Sequence, residues 1–249
     1  MTQEAIELTA DCGRCRGLCC VLPAYQRSSD FGHDKAPGVA CRHLSPQHRC
    51  RIHHDLPARG YPGCVAFDCF GAGQRLSAAR DEVSAADLFG LRAQHQLLWL
   101  LRQARTYRPP EALLAELHEA EEQVLRRIEK LAGDRVQQAV DVLRRVSEAV
   151  RRSSTGMGVD RSGADLVGRD LRAADLRGAS LRGALLLGAC LDGVDLRGTD
   201  LTGADLRGAS LRGADLRASL FLHPSQLVPA VGDATTRLPD DLTAPITWV

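Results

Sequence analysis

Three spacings of apolar residues divide this chain. Through the first 75 residues few apolar positions recur at helical or strand intervals, and glycines and prolines punctuate the segment instead. From about residue 84 the spacing becomes helical. Ser84 with Asp87 reads as an N-cap with an acidic first turn, and Leu88, Leu91, Leu98 and Leu101 follow, up to about Tyr107. Pro109 and Pro110 break that helix and start the next, whose stripe is Leu113, Leu117, Ala120, Val124, Ile128 and Leu131. Gly133 is expected to end it and Asp134 to cap a third helix, with Val136, Val140, Leu143, Val146 and Val150 on one face. Short loops between these helices predict antiparallel neighbours, a hairpin or small bundle. Residues 153–158 read as the start of a linker.

From about residue 164 a leucine falls every fifth position, from Leu166 through Leu171, Leu176 and onward to Leu216, with Phe221 continuing the register. Two residues before each leucine the side chain is mostly alanine. Asp or Ser mostly precedes the leucine, Arg mostly follows it, and Gly usually closes the unit. Period five matches neither the 3.6 of a helix nor the 2.0 of a strand. It fits a coil that turns at every unit, with Leu and Ala inward and Asp and Arg outward. The pattern resembles the pentapeptide-repeat family, Ala-(Asp/Asn)-Leu-x-x. The resemblance implies a right-handed, four-sided (quadrilateral) β-helix with four units per coil. About three coils would stand roughly 14 Å tall at the spacing of stacked strands. So short a stack needs covering at both ends, and residues 219–249, with Pro224, Leu227, Leu238, Leu242, Pro245 and Trp248, suit the carboxyl-terminal end.

Cysteine changes the picture at the other end. Eight of nine cysteines fall in the first 69 residues, beginning Cys12-x2-Cys15-x3-Cys19-Cys20 and continuing as Cys41, Cys50, Cys64 and Cys69. Soft thiolates at such spacings can converge on one ion or cluster. A segment this poor in apolar residues cannot offset its own conformational entropy, whereas a structural thiolate site contributes roughly 10 kcal/mol or more. Cys12 to Cys20 resembles the zinc- or iron-chelating family named for its CxxCxxxCC motif. Cys41-Arg42-His43-Leu44, Cys50-Arg51-Ile52-His53, Pro62-Gly63-Cys64 and Phe67-Asp68-Cys69 are similar to its later steps, though the proline stands one residue nearer its cysteine here. Zinc, iron or an iron–sulfur cluster is implied, with all eight cysteines as ligands. Eight thiolates can hold two tetrahedral zinc ions, one iron–sulfur cluster with spare ligands, or two ions with bridging sulfurs. Adjacent Cys19 and Cys20 are expected to point different ways and so serve two ions or place one thiol behind the other. His33, His43, His48, His53 and His54 are alternative ligands, each by itself more simply a solvated loop histidine.

Net charge is +1, so no global field favours nucleic acid or anionic lipid. Only two residues, Lys35 and Lys130, are lysine, and this arginine bias suggests a GC-rich bacterial genome. The amino terminus lacks a basic start and an apolar stretch, and no run approaches the ~18–20 apolar residues that span a bilayer. A cytoplasmic protein with reduced thiols is therefore expected. Cys12-Gly13-Arg14-Cys15 has thioredoxin-like spacing but no βαβ surroundings, and no catalytic constellation stands out. The domain reading is a metal-binding module over 1–75, helices over 76–153, a linker over 154–163, the solenoid over 164–222 and a cap over 223–249. The function reading is a metal-binding protein with a repeat scaffold for a protein partner or self-association. A metalloenzyme or redox protein on the same cluster is the alternative. A topoisomerase-protecting DNA mimic fits less well, because Asp and Arg balance along the repeat. Those charges are expected to form ladders across coils, with Asp175, Asp195 and Asp215 beside Arg177, Arg197 and Arg217. Leu185 and Leu187 break the outward pattern, and the helical middle is expected to cover them. Cys190 reads as a lone free thiol, and His95 as a core or boundary histidine.

Overall fold

The computed structural model describes residues 6–133 and 136–248. It forms two compact units. One comprises the described residues up to Arg105 with Leu114–Leu143, the other Thr106–Leu113 with the chain from Arg144 onward. The boundaries between these units fall within helices.

In the first unit, α1 (Leu18–Val21), α2 (Pro62–Ala66) and α3 (Ala72–Ala79) are short and set in irregular loops. The longer helices are α4 (Ala85–Thr106), α5 (Glu111–Glu129) and α6 (Gln137–Ser154). Ser84 caps α4 as its sequence promises: its Oγ accepts from the Asp87 amide at 3.1 Å while Asp87 accepts from the Ser84 amide at 2.9 Å. Leu88, Leu91, Leu98 and Leu101 are buried along α4, and Leu117, Ala120, Val124 and Ile128 along α5. Glu121 of α5 accepts from Arg102 and Arg105 of α4 at 3.1 and 3.0 Å. Helix α5 ends at Glu129, and Leu131 takes the left-handed φ of 51° that Gly133 was expected to supply. Gly133 has a different task. A Cβ there would stand 2.7 Å from the Gly90 Cα, so two glycines permit a close backbone approach. The expected cap Asp134 lies outside the described residues.

The second unit is a stack of coils. Parallel bridges join residues twenty apart: Asp160 to Ser180 to Asp200 to Leu220, Asp165 to Leu185 to Asp205, Asp170 to Cys190 to Ser210, and Asp195 to Asp215. Twenty residues are four units, so each coil has four sides. The pairings are isolated bridges rather than extended strands, because every unit turns at its fifth residue. Gly168, Gly178 and their successors take φ near +65° at those corners, where a side chain would be strained. Leu181, Leu186, Leu191, Ala184 and Ala189 are buried inside. The coil begins before 164, since Gly158 donates to Gly178 O at 3.0 Å. The tail adds a further layer with slipped register: Ser210 bridges Val231 and Asp215 bridges Arg237. A short helix, α7 (Pro224–Leu227), lies within that layer. Leu227, Ala230 and Trp248 are buried in the core cluster, with Leu238 and Leu242 packed against it.

Charges on the coils pair chiefly within a unit. Arg172, Arg197, Arg207 and Arg217 each fork onto the Asp two residues earlier at 2.6–2.7 Å. The expected cross-coil ladder is the longer contact, Arg197 to Asp215 at 3.8 Å. The in-unit fork makes two short charge-assisted bonds where the cross-coil pair makes one long contact, which favours the local geometry. Helix α6 also lands elsewhere than expected. Leu185 remains 44% exposed. Ser147 and Arg151 of α6 address the neighbouring column: Ser147 Oγ donates to Asp200 at 2.5 Å, and Arg151 donates to Gly178 O at 3.0 Å. Arg182 completes the fully buried Asp200 at 2.9 Å, and Thr202 donates to its other oxygen.

Two outcomes follow. Replacing Asp200 by Ala removes the buried acceptor of four hydrogen bonds, from Ser147, Arg182, the Thr202 hydroxyl and the Thr202 amide, and denaturant unfolding should show a loss of about 3 kcal/mol, whereas Asp170→Ala on the exposed face should leave the midpoint unchanged. Acid should act on the same surface. The Arg197 side-chain bond holds Asp195 at about 2, below its ordinary 3.8. A depressed carboxylate stabilises the fold above its unfolded value and stops doing so as pH falls through the folded one. The melting temperature should stay level from pH 7 to about 4 and fall between about 4 and about 2.

Candidate functional site

The cysteine-rich module has little apolar interior: between residues 6 and 69 only Leu18, Leu56 and Tyr61 are buried apolar side chains. Its shape comes from polar ties. Asp11 caps the 3-10 turn Cys12–Arg14, accepting from the Gly13 amide at 2.7 Å. Gln74 of α3 accepts from the Asp11 amide and donates to Thr9 O, at 3.0 and 2.9 Å. Arg49 donates to the carbonyls of Cys12 and Gly13, both at 2.6 Å. Gly17 takes a left-handed φ of 70° and opens α1, which carries Cys19 and Cys20. The Cys41 amide donates to Cys20 O at 2.9 Å, and antiparallel bridges Tyr25–Lys35 and Leu44–Cys50 pin the loops.

These ties gather the thiols around Cys19. Its sulfur lies 4.0 Å from that of Cys20. Adjacent residues on one helical turn have thus turned their sulfurs together, contrary to the expectation that they point apart. Burial pushes the Cys12 thiol up to about 11, with Cys19, Cys69 and Cys15 adding to it. Burial likewise pushes Cys64 up to about 12, with Cys19, Cys41 and Cys50 contributing. Cys50 and Cys69 are raised by burial too, and each feels Cys19. Cys15 approaches Cys69 across Gly73, where an added Cβ would lie 3.0 Å from the Cys15 sulfur and 3.6 Å from that of Cys69. All nine cysteines are free thiols, Cys190 in the solenoid among them.

Does this set fit an ion? By donor chemistry it suits a soft cation. Tetrahedral zinc with bonds of about 2.3 Å sets its sulfurs about 3.8 Å apart, close to the Cys19–Cys20 spacing. Yet among the described residues no group of three or more Cys, His, Asp or Glu side chains stands in metal-holding geometry. Cys19 and Cys20 have ligand spacing, and among the described residues no third donor completes a site with them.

Two of the five histidines stand beside the thiols through tyrosines that sequence reasoning missed. Tyr25 OH donates to the Cys41 sulfur at 3.3 Å and lies 3.3 Å from His33 Nε2. Tyr61 OH lies 2.9 Å from His33 Nδ1 and 3.0 Å from His43 Nε2, and accepts from Arg42 at 2.9 Å. Burial, then Arg42, lowers both imidazoles. His53 and His54 sit in a separate 3-10 turn, and His48 in a turn of its own with φ 59°. Lys35 was also unforeseen. It is buried, donates to the carbonyls of Val21, Pro23 and Ala36, and feels Cys41 and Cys20. Only a buried lysine among cysteines could have signalled it, and burial is invisible in a loop. His95 is buried in α4, with Nδ1 2.6 Å from Phe70 O.

Layered four-sided coils define the second unit as a repeat solenoid, and comparison with known proteins agrees. Residues 162–198 and 188–217 match the family model for Pentapeptide repeats, in eight copies. An uncharacterized protein of Bacillus subtilis, YybG, is 38% identical over 142 residues, covering 52% of this chain and 50% of that one. A pentapeptide repeat protein from the thylakoid lumen of Arabidopsis thaliana is 36% identical over 27% of this chain and 54% of its own, with a TM-score of 0.21. One from the cyanobacterium Cyanothece 51142 is 31% identical over 32% and 53%, with a TM-score of 0.25. The chain spans about half the length of these relatives. No helix among the described residues is long and apolar enough to cross a membrane.

The Cys69 turn offers a check on the module. Gly71 takes φ +82°, and a Cβ there would lie 2.4 Å from Glu7 O. Gly71→Ala should therefore cost about 1–3 kcal/mol, read from the thermal unfolding of the first unit.

Proposed function

We propose that this chain is a cytoplasmic thiolate metal-binding protein, for zinc or iron, whose pentapeptide solenoid serves as a scaffold for protein interaction or assembly. The observation that carries the metal reading is the gathering of thiols around Cys19 in a module with three buried apolar side chains. Cys12, Cys15, Cys19, Cys20, Cys41, Cys50, Cys64 and Cys69 are the ligands on this reading. An ion would draw further sulfurs to the spacing Cys19 and Cys20 already have, and its binding free energy would become folding free energy. Lys35 and the Tyr25 hydroxyl would offset thiolate charge at Cys41 and its neighbours. The scaffold reading rests on the repeat match and on a surface where Asp and Arg residues balance in number along the repeat and pair within four of its units. That neutrality gives the DNA-mimic alternative no support.

Elemental analysis with an absorption spectrum, on protein purified from reducing medium, tests the metal reading. Retained zinc with no visible band, or iron with a brown charge-transfer band, is the expected result. A Cys19→Ser variant should lose metal and the cooperative unfolding of the first unit together. Wild-type protein that emerges metal-free yet melts cooperatively would defeat the reading. Metal uptake should also release protons, because thiols must ionise to bind and burial holds Cys12 and Cys64 protonated at pH 7.

A further inference from the structure

An inner layer of a β-solenoid is satisfied from both sides. Ser180 bridges back to Asp160 and on to Asp200, and Leu185 bridges both Asp165 and Asp205. The last coil is satisfied too, because the tail supplies Val231 and Arg237 as partners and seats Trp248 in the core. The first coil is different. Asp160, Asp165 and Asp170 bridge forward only, among the described residues. Its inward leucines, Leu166 and Leu171, are half-buried, whereas their successors Leu186 and Leu191 are fully buried. Val159 and Val167 of this coil are 45% and 51% exposed.

The segment that enters the solenoid does not cover this end. Ser147 and Arg151 of α6 bond to the side wall, at Asp200 and Gly178, and Thr155 continues along that wall against Gly178 and Gly198. An edge with unpaired peptide groups above an apolar floor is the arrangement that β-proteins otherwise cover, charge or bend away.

We propose that the open first coil stacks on the first coil of a second copy of this chain. The inference rests on the reading of the solenoid as an assembly scaffold and names its partner and its surface. A two-fold axis across the solenoid axis sets the two edges antiparallel, a pairing that satisfies peptide groups on both chains. The rim suits a like partner: Arg161, Arg169, Arg177, Asp160, Asp165 and Asp175 are exposed and make no ion pair among the described residues. Three cations balance three anions on this coil, so two copies can meet without net repulsion. Val159, Leu166 and Leu171 supply the apolar centre, and Val167 adds an apolar side chain at the rim. One coil end is a small surface, so a dissociation constant of about 1–100 µM is expected.

Sedimentation velocity of the full chain over that concentration range tests the stacking. The expected result is a monomer–dimer equilibrium that a Val159→Lys, Val167→Lys double variant weakens at least about tenfold. Both positions are exposed, so circular dichroism and the melting temperature should not change. Ile246→Lys, at a position 99% exposed in the tail, should dimerise like the wild type. Wild-type protein that stays monomeric up to about 100 µM overturns the inference. It leaves the scaffold reading to stand or fall on whether a different protein binds the solenoid. A dimer untouched by the double variant overturns the surface named here and keeps assembly as a property of the chain.

Discussion

Peptide hydrogen bonding between layers is the constraint on which the solenoid depends. Each unit turns after five residues, so no side of a coil is long enough to be stable alone. A unit persists because its peptide groups reach the coils on both sides, as when Leu186 donates to Asp205 O in the following coil and Leu185 donates to Ala164 O in the preceding one, both at 2.9 Å. This requirement explains the composition. The corner must accept positive φ, hence glycine; the interior is narrow, hence alternating leucine and alanine; and the rim must be wettable, hence Asp and Arg. It also explains why ends matter more than sides. Side columns are complete in themselves, while an end layer carries both unpaired backbone and half-covered leucines.

The cysteine-rich module meets the same shortage of local stability by other means. With Leu18, Leu56 and Tyr61 as its buried apolar side chains, hydrophobic burial contributes only about 5–9 kcal/mol there, from roughly 1.5–3 kcal/mol for each. Ordering some sixty residues costs far more than that. Polar ties, such as Gln74 to Thr9 and Asp11 and Arg49 to the carbonyls of Cys12 and Gly13, fix directions but add little net free energy each. What they do fix is where eight sulfurs stand. Cys12, Cys50, Cys64 and Cys69 are each pushed up by burial and by the neighbouring Cys19, so the protein's own groups do not reward ionising them.

How far the sequence foretold this depended on whether a signal was periodic. The five-residue register, the α4 cap at Ser84 and the leucine stripes of α4 and α5 were all legible, because each is a repeat or a short-range bond. Docking of α6 was not read, although its marks are present in hindsight. The unit Thr199-Asp200-Leu201-Thr202 replaces alanine and arginine by threonines, and Ser147 interrupts the valine stripe of α6. Those polar residues meet, and Thr199 donates to Leu176 O at 2.7 Å in the buried wall. Leucines at 185 and 187 drew attention because they are apolar and misplaced, yet burial followed the polar match. The thiols were legible as a set and not as a geometry, since the Cys19–Cys20 approach depends on a helical turn started by Gly17. Tyr25, His33, Tyr61 and His43 came together only through loop closure, which leaves no spacing to read.

The Asp200 wall and the open first coil show one rule applied with opposite results. Where α6 meets the solenoid, every buried polar atom of Asp200 has a donor in the same chain: Ser147, Arg182, Thr202 or the Thr202 amide. A carboxylate that is wholly buried tolerates no less, because an unpaired buried charge costs more than the contact gains. The first coil presents the same kind of unmet groups in backbone form, but at a face open to water, where hydration satisfies them at modest cost. The end can therefore persist uncovered in the isolated chain, while the Asp200 wall cannot. That difference in cost is what makes one surface structural and leaves the other free for an occupant that binds and releases.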